Sequence, residues 1–326
     1  MKSVYEYFNS LLDKKVSREK FLKITFSSLA LLLLSGFRPR SAQAVQTQSF
    51  GRPKKTINTD HDLIIASGDD PYAMTIKAVE AMGGMGKFVK KGDIVLVKPN
   101  MGWDRTPEQA GNTNPQVVAA LVDMSFKAGA KKVNVFDITC NDARRCYENS
   151  GIEKAAVKSG ATVYYPDGWD SLKAKFNYKS QMEGWPILKD AIAADVVINA
   201  PVLKHHSLTR LTLSMKNLMG VCGGNRGIIH QNIGEKLVDL TGFINPELTV
   251  IDAYRVLVRN GPTGGNLADV DTMKKIIVAA DPTLADIVAC GIAGVDPSAV
   301  PYVHNAIQRN FGITDPLKAD ILKITV

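Results

Sequence analysis

No C-x-x-C pair occurs in the 326 residues, so a cluster-binding cysteine motif is absent, and the four cysteines present are irregularly spaced. Cys140, Cys146, Cys222 and Cys290 read as buried free thiols; export would also allow a Cys140–Cys146 disulfide, and only Cys222 sits where a ligand role merits a test. G-x-S-x-G, H-E-x-x-H, a Walker loop and a strand-following G-x-G-x-x-G are missing too. Hydrolase, zincin and ordinary dinucleotide readings thereby lose their main support. Gly83-Gly84-Met85-Gly86-Lys87 imitates a phosphate loop but lacks its spacing and its strand, and reads as a turn. Beyond residue 44 no stretch is long and apolar enough to cross a bilayer. Acidic residues are outnumbered, giving a net charge of +8. Residues 1–44 hold eight basic against three acidic side chains, which leaves the body only +3, and no nucleic-acid partner is expected.

What is present begins with that leader: a basic start, an apolar run over about residues 24–34, and Ala42-Gln43-Ala44, a small-x-small cleavage site. Residues 1–44 are expected to be a signal peptide cut after Ala44 or, uncut, an N-terminal membrane anchor, although the apolar run is short for a span of about twenty residues. Ser17-Arg18-Glu19-Lys20-Phe21-Leu22-Lys23 looks like a twin-arginine export motif with Glu19 in place of the second arginine. The export machinery is thus an expected partner, and the periplasm or cell envelope the expected destination. Residues 45–60 read as a polar linker and residues 61–326 as a single α/β domain, in one lobe or two.

Apolar runs predict strands over residues 62–67, 93–97, 133–136, 162–165, 196–198, 248–251, 274–279 and 321–326. Asp70-Pro71, Asn114-Pro115 and Asp281-Pro282 each combine an N-cap with a first-turn proline and open helices between them. Such alternation predicts a mainly parallel sheet with helices on both faces, in which ligands gather beyond the strand ends. Lys98, Asp137 and Asp252 each follow a predicted strand.

The densest chemistry lies between residues 195 and 230. Pro201 ends the strand over 196–198, and Lys204, His205 and His206 follow at once. Ser207 is expected to cap a helix through about Met219, with Thr212 and Lys216 on one face. Gly220, Gly223 and Gly224 end it, and the chain returns through Arg226 to His230. Lysine and arginine bind anions, while neutral imidazole moves protons or ligates metals, so a small anionic ligand, a metal, or both fit this mixture.

The patterns P-x-L-K-x-H at Pro201 to His206 and T-x-x-x-K-N-x-x-G at Thr212 to Gly220, with His230, resemble the domain-of-unknown-function 362 family. Lys98-Pro99-Asn100, Asp252, Gly261-Pro262-x-x-Gly265, and Asp281-Pro282 with Asp286 extend the resemblance over roughly residues 60–312. It implies no assigned activity, and it favours His206 over His205. The order Lys216, Gly220, His230 is more distantly similar to nickel-pincer lactate racemases, in which a lysine tethers the pincer and a histidine helps to bind nickel. That similarity implies these roles for Lys216 and His230, and hydride chemistry on a 2-hydroxy acid.

The expected function is an enzyme acting on a small carboxylate- or phosphate-bearing metabolite with a divalent metal, nickel, iron or zinc. His206, His230 and Lys216 are the expected catalytic residues, and Lys98, Asn100, Lys204, Asn217 and Arg226 the anion binders. His206, His230, Asp252 and Asp286 form the expected metal shell. A non-catalytic anion- or metal-binding envelope protein is the alternative, and an accessory to an iron–sulfur redox system a third reading.

Overall fold

A computed structural model describes residues 48–166 and 170–326; the expected leader lies outside them. In chain order the first half comprises β1 (Gln48–Ser49), β2 (Leu63–Ser67), α1 (Pro71–Ala81), β3 (Ile94–Pro99), α2 (Pro115–Lys127), β4 (Lys132–Val135), α3 (Ala143–Asn149), α4 (Ile152–Lys158), β5 (Thr162–Val163), β6 (Ser171–Ala174) and β7 (Pro186–Leu188). The second half adds α5 (Lys189–Ala193), β8 (Val196–Ala200), β9 (Val202–His206), β10 (Arg210–Thr212), α6 (Ser214–Asn217), α7 (Ile233–Ile244), β11 (Leu248–Leu257), β12 (Val270–Ala279), α8 (Pro282–Ile292), α9 (Pro301–Gln308) and β13 (Ile321–Thr325).

Strand side chains alternate between two faces, and here both faces are apolar. Ile64, Ala66, Val95, Val97, Val196 and Ile198 pack against α1, α2 and α4, whereas Leu63, Ile65, Leu96 and Val197 pack against α7, α8 and α9. The sheet runs β13-β2-β12-β11-β8-β3-β4-β5. It is parallel from β11 through β5 and between β13 and β2, while β12 runs antiparallel to both its neighbours. The chain is therefore an α/β protein with a mainly parallel sheet and helices on both faces. A separate three-stranded sheet, β1-β6-β7, lies outside this path. The capping reading holds: Asp70, Asn114 and Asp281 each accept backbone N–H groups from the first turns of α1, α2 and α8.

Two expectations are corrected. The region after Pro201 is a β-hairpin, not a helix from Ser207. Strand β9 continues alongside β11 once β8 ends and turns into β10, with Thr212 opposite Lys204 and Leu211 opposite His205. Only the single turn of α6 is helical before the chain tightens into a 3-10 turn over Leu218–Val221. The linker boundary moves as well, because Arg52 is buried. Its guanidinium donates to the carbonyls of Ala194, Ile244, Asn245 and Asp195 and pairs with both oxygens of Glu247 at 2.8 Å.

No helix among the described residues is long and apolar enough to cross a membrane. Removing one partner of a buried, hydrogen-bonded ion pair strands the other's charge. Arg52→Ala is accordingly expected to lower the unfolding free energy by about 3–5 kcal/mol in urea titration. Arg52→Lys should recover little of it, since an ammonium cannot reproduce the fork that meets Glu247 and four carbonyls.

Candidate functional site

Strand ends bring the site together. Lys98 stands at the end of β3, Asp137 just past β4, and Lys204 and His206 on β9, which projects beyond the end of β8. These side chains line one cavity of about 470 Å³ with Asn100, Lys216, Asn217, Arg226 and His230. The eight residues expected to be catalytic or anion-binding therefore share a single space. Asp252 and Asp286 do not join them.

At the floor, Lys98 is fully buried and pairs with Asp137 at 2.8 Å; it also donates to Pro99 O (2.7 Å) and Asn217 Oδ1 (3.2 Å). Burial holds its ammonium below the usual lysine range, and the Asp137 charge opposes that shift. The second Asp137 oxygen accepts the Met101 N–H at 2.7 Å. Gly220 lies against this pair so closely that a Cβ there would overlap Asp137 Oδ1 and sit 2.5 Å from Lys98 Nζ. Glycine is required here for space, not for an unusual backbone angle.

The wall comes from β9. Alternation along the strand turns Lys204 and His206 inward and sends His205 to the opposite face, where its Nδ1 accepts the Gly261 N–H at 3.1 Å. Lys204, 1% exposed, donates to Gly111 O (2.6 Å), Pro262 O (3.1 Å) and Asn100 Oδ1 (3.3 Å), and lies 5.6 Å from the centre of the Trp103 ring. Burial lowers its pKa to about 7. Lys216, 9% exposed and also lowered by burial, to about 8, has Met219 Sδ at 3.7 Å as its hydrogen-bonding partner. Arg226 donates to the carbonyls of Ile138 and Thr139, so it pins the loop after β4 while contributing charge to the cavity.

Hydrogen bonds assign the tautomers of the two cavity histidines. Leu208 N–H donates to His206 Nδ1 at 3.1 Å, so a neutral His206 carries its proton on Nε2. His230 Nδ1 faces Gly227 O at 3.3 Å; a carbonyl can only accept, so that nitrogen holds the proton and Nε2 keeps a lone pair. Burial and the nearby Lys216 charge lower both pKa values, that of His206 to about 2, and both rings are neutral at physiological pH. With ring centres 6.0 Å apart, one imidazole is a donor and the other an acceptor.

This geometry does not fit the expected metal shell. His206 has its proton on the nitrogen left free for a metal. Asp252 instead accepts the N–H groups of Asn114 (2.7 Å) and Tyr254 (3.0 Å), and Asp286 those of Ser214 (2.7 Å) and Met215 (3.1 Å). Burial raises these carboxyls to about 6 and about 7, and both serve as anchors for backbone. Among the described residues, no group of three or more His, Cys, Asp or Glu side chains is arranged to hold a metal ion. The cysteines are free: Cys146, Cys222 and Cys290 are buried, whereas Cys140 is exposed and lines the cavity. Cys222, expected as a ligand candidate, is held up near 12 by burial and lies outside the lining.

Asp137, Trp103 and Cys140 also line the site without having been assigned to it from sequence. Asp137 was visible as a carboxylate at a strand end; the others left no signal beyond their position in loops.

Comparison with known proteins adds the following. Residues 95–291 match the family described as "Domain of unknown function (DUF362)". A thylakoid-associated protein of Synechocystis sp. is 30% identical over 262 residues, covering 74% of this chain and 75% of that one. Among solved structures, the lactate racemase apoprotein of Thermoanaerobacterium thermosaccharolyticum superposes with a TM-score of 0.46 at 12% identity, covering 74% of this chain and 58% of its own length.

Gly220→Ala forces the Lys98–Asp137 pair apart and is expected to lower stability by about 3 kcal/mol in urea titration, as overpacking and a broken buried pair combine. Gly86→Ala, with no atom within 4 Å of the added Cβ, is the matched control and should change stability by roughly 0.5 kcal/mol or less.

Proposed function

The chain belongs to the domain-of-unknown-function 362 family, and from that premise we propose that it binds a small carboxylate- or phosphate-bearing metabolite in the strand-end cavity and transfers a proton on it. One observation carries this reading. Lys98, Lys204, Lys216 and Arg226 line a space in which, among the described residues, the one carboxylate, Asp137, is already paired with Lys98. A cavity with such an excess of positive charge, its lysines buried, attracts an anion strongly.

The histidines supply the chemistry. His230 Nε2 accepts a proton from the bound molecule. His206 Nε2–H donates a hydrogen bond to an oxygen on which negative charge grows, and a neutral imidazole with a fixed tautomer is suited to that task. Asn100 and Asn217 link the lysines: the Asn217 Oδ1 atom accepts from both Lys98 and Asn100. The scheme uses the chain's own imidazoles and cations, since among the described residues the expected metal donors do not assemble.

The leader pattern supports a periplasmic or envelope location, and a relative described as thylakoid-associated agrees with work near a membrane. The intact mass of natively produced protein should begin at Val45. A full-length mass in the membrane fraction would make the leader an anchor instead.

Calorimetry with inorganic phosphate and with pyruvate tests the anion reading. Lys204→Ala is expected to weaken binding by about tenfold to a hundredfold, because a buried positive charge beside the anion is lost. A lysine holds an anion only while protonated, so affinity is full below about pH 7 and falls as pH rises through 7, where Lys204 discharges, and then through 8, where Lys216 does. Failure of both anions to bind at millimolar concentration would refute the reading. Binding without solvent deuterium exchange across a panel of small 2-oxo and 2-hydroxy acids would leave a non-catalytic binding protein.

A further inference from the structure

We propose that Lys216 is the amine nucleophile of the cavity, and that its anionic ligand carries an aldehyde or ketone carbonyl with which the amine condenses to an imine. The proposal rests on the anion reading and narrows it to small oxo acids or carbonyl-bearing phosphates.

The three cavity lysines are not equivalent. An ammonium has three protons to donate. Lys98 meets three oxygens, Asp137 Oδ1, Pro99 O and Asn217 Oδ1. Lys204 also meets three, Gly111 O, Pro262 O and Asn100 Oδ1. Both nitrogens are therefore tied to fixed oxygen partners; Lys204 discharges at lower pH than Lys216, but its amine stays surrounded by those acceptors, whereas an attacking amine needs an open side. Lys216 is buried too, at 9% exposed, yet among the described residues it meets a thioether and no oxygen acceptor. A buried ammonium without oxygen partners is costly, and the neutral amine that replaces it keeps a nucleophilic lone pair. Nearby cations push the same way, as Arg226 does here.

The amine is also held in place. Asp286 accepts the N–H groups of Ser214 and Met215, the two residues before Lys216, and Asn199 donates to Ser214 O at 2.8 Å. The short helix that presents Lys216 is thus anchored by buried side chains on either side of its first turn. This explains a buried Asp286 without a metal.

The bonds and protons balance with groups already described. The Nζ lone pair forms the C–N bond as the carbonyl π pair moves to oxygen, which accepts a hydrogen bond from His206 Nε2–H. His230 Nε2 takes the proton that nitrogen loses and passes it to that oxygen. One further proton from solvent releases the oxygen as water while the nitrogen lone pair closes the C=N bond. Amine, carbonyl and one proton become a protonated imine and water, and nothing is oxidised or reduced.

The test treats the full-length protein at pH 8 with pyruvate and sodium cyanoborohydride, which reduces imines selectively. Intact mass and peptide mapping follow, alongside calorimetry with pyruvate on the same preparation at pH 6, where both Lys204 and Lys216 are charged. The expected product is a single adduct of one pyruvic acid less one oxygen, on Lys216, at about tenfold or more the level at any other lysine. Lys216→Arg, which keeps the charge, should lose the adduct and still bind pyruvate; the wild-type peptide map decides the matter if that variant does not fold. Pyruvate that binds without labelling Lys216, or an adduct on Lys98 or Lys204, would overturn the imine and leave the anion reading standing. Absence of both binding and adduct would overturn the two together.

Discussion

A single carboxylate, Asp137, holds the floor of the cavity. One of its oxygens neutralises the fully buried Lys98 and the other accepts the Met101 N–H, so the group ties the end of β3 to the loop that leaves it. The backbone beside it bonds to the turn after α6, Ile138 N–H to Gly220 O at 3.0 Å. Three segments distant in sequence thereby meet at one charge, with only a glycine hydrogen's width between them. A pair of ions withdrawn from water so completely persists only when geometry and accessory hydrogen bonds are both good, and here Pro99 and Asn217 provide the latter.

On that floor, residues of one type take different states. Three lysines begin with the same chemistry, yet their neighbours leave two ringed by oxygen acceptors and the third, among the described residues, beside a thioether. Two histidines within one stacking distance are set to opposite tautomers by a backbone N–H on one side and a backbone carbonyl on the other. The arrangement shows why a list of reactive residue types falls short of a mechanism. Function depends on which proton each group has already committed.

Much of this architecture was legible in the sequence. Asp-Pro and Asn-Pro pairs marked helix starts because a cap side chain and a proline at N1 satisfy the same local geometry wherever they occur. Apolar runs marked strands, and the polar residues just beyond them marked the site. What escaped notice depended on long-range contacts. The hairpin of β9 and β10 carries lysine and histidines, so its period-2 pattern did not look apolar, and the leucine and methionine residues that follow suggested a helix. Asp252 and Asp286 read as metal ligands, but most of the backbone N–H groups they hold, those of Asn114, Ser214 and Met215, belong to residues far away in the chain, as do the carbonyls around Arg52.

The alternation of β9 has a consequence for how this protein can change. Its register is fixed by β10 on one side and β11 on the other, and by the bond from Asp252 N–H to Pro201 O at 2.9 Å. Substitutions leave that frame intact, but the loss or gain of one residue between Pro201 and Lys204 would rotate every following side chain to the other face. His205 would then enter the cavity, and Lys204 and His206 would leave it together. Length in this strand is therefore constrained more tightly than identity, and lineages of such proteins can be expected to vary by replacement here and by insertion only in the loops beyond.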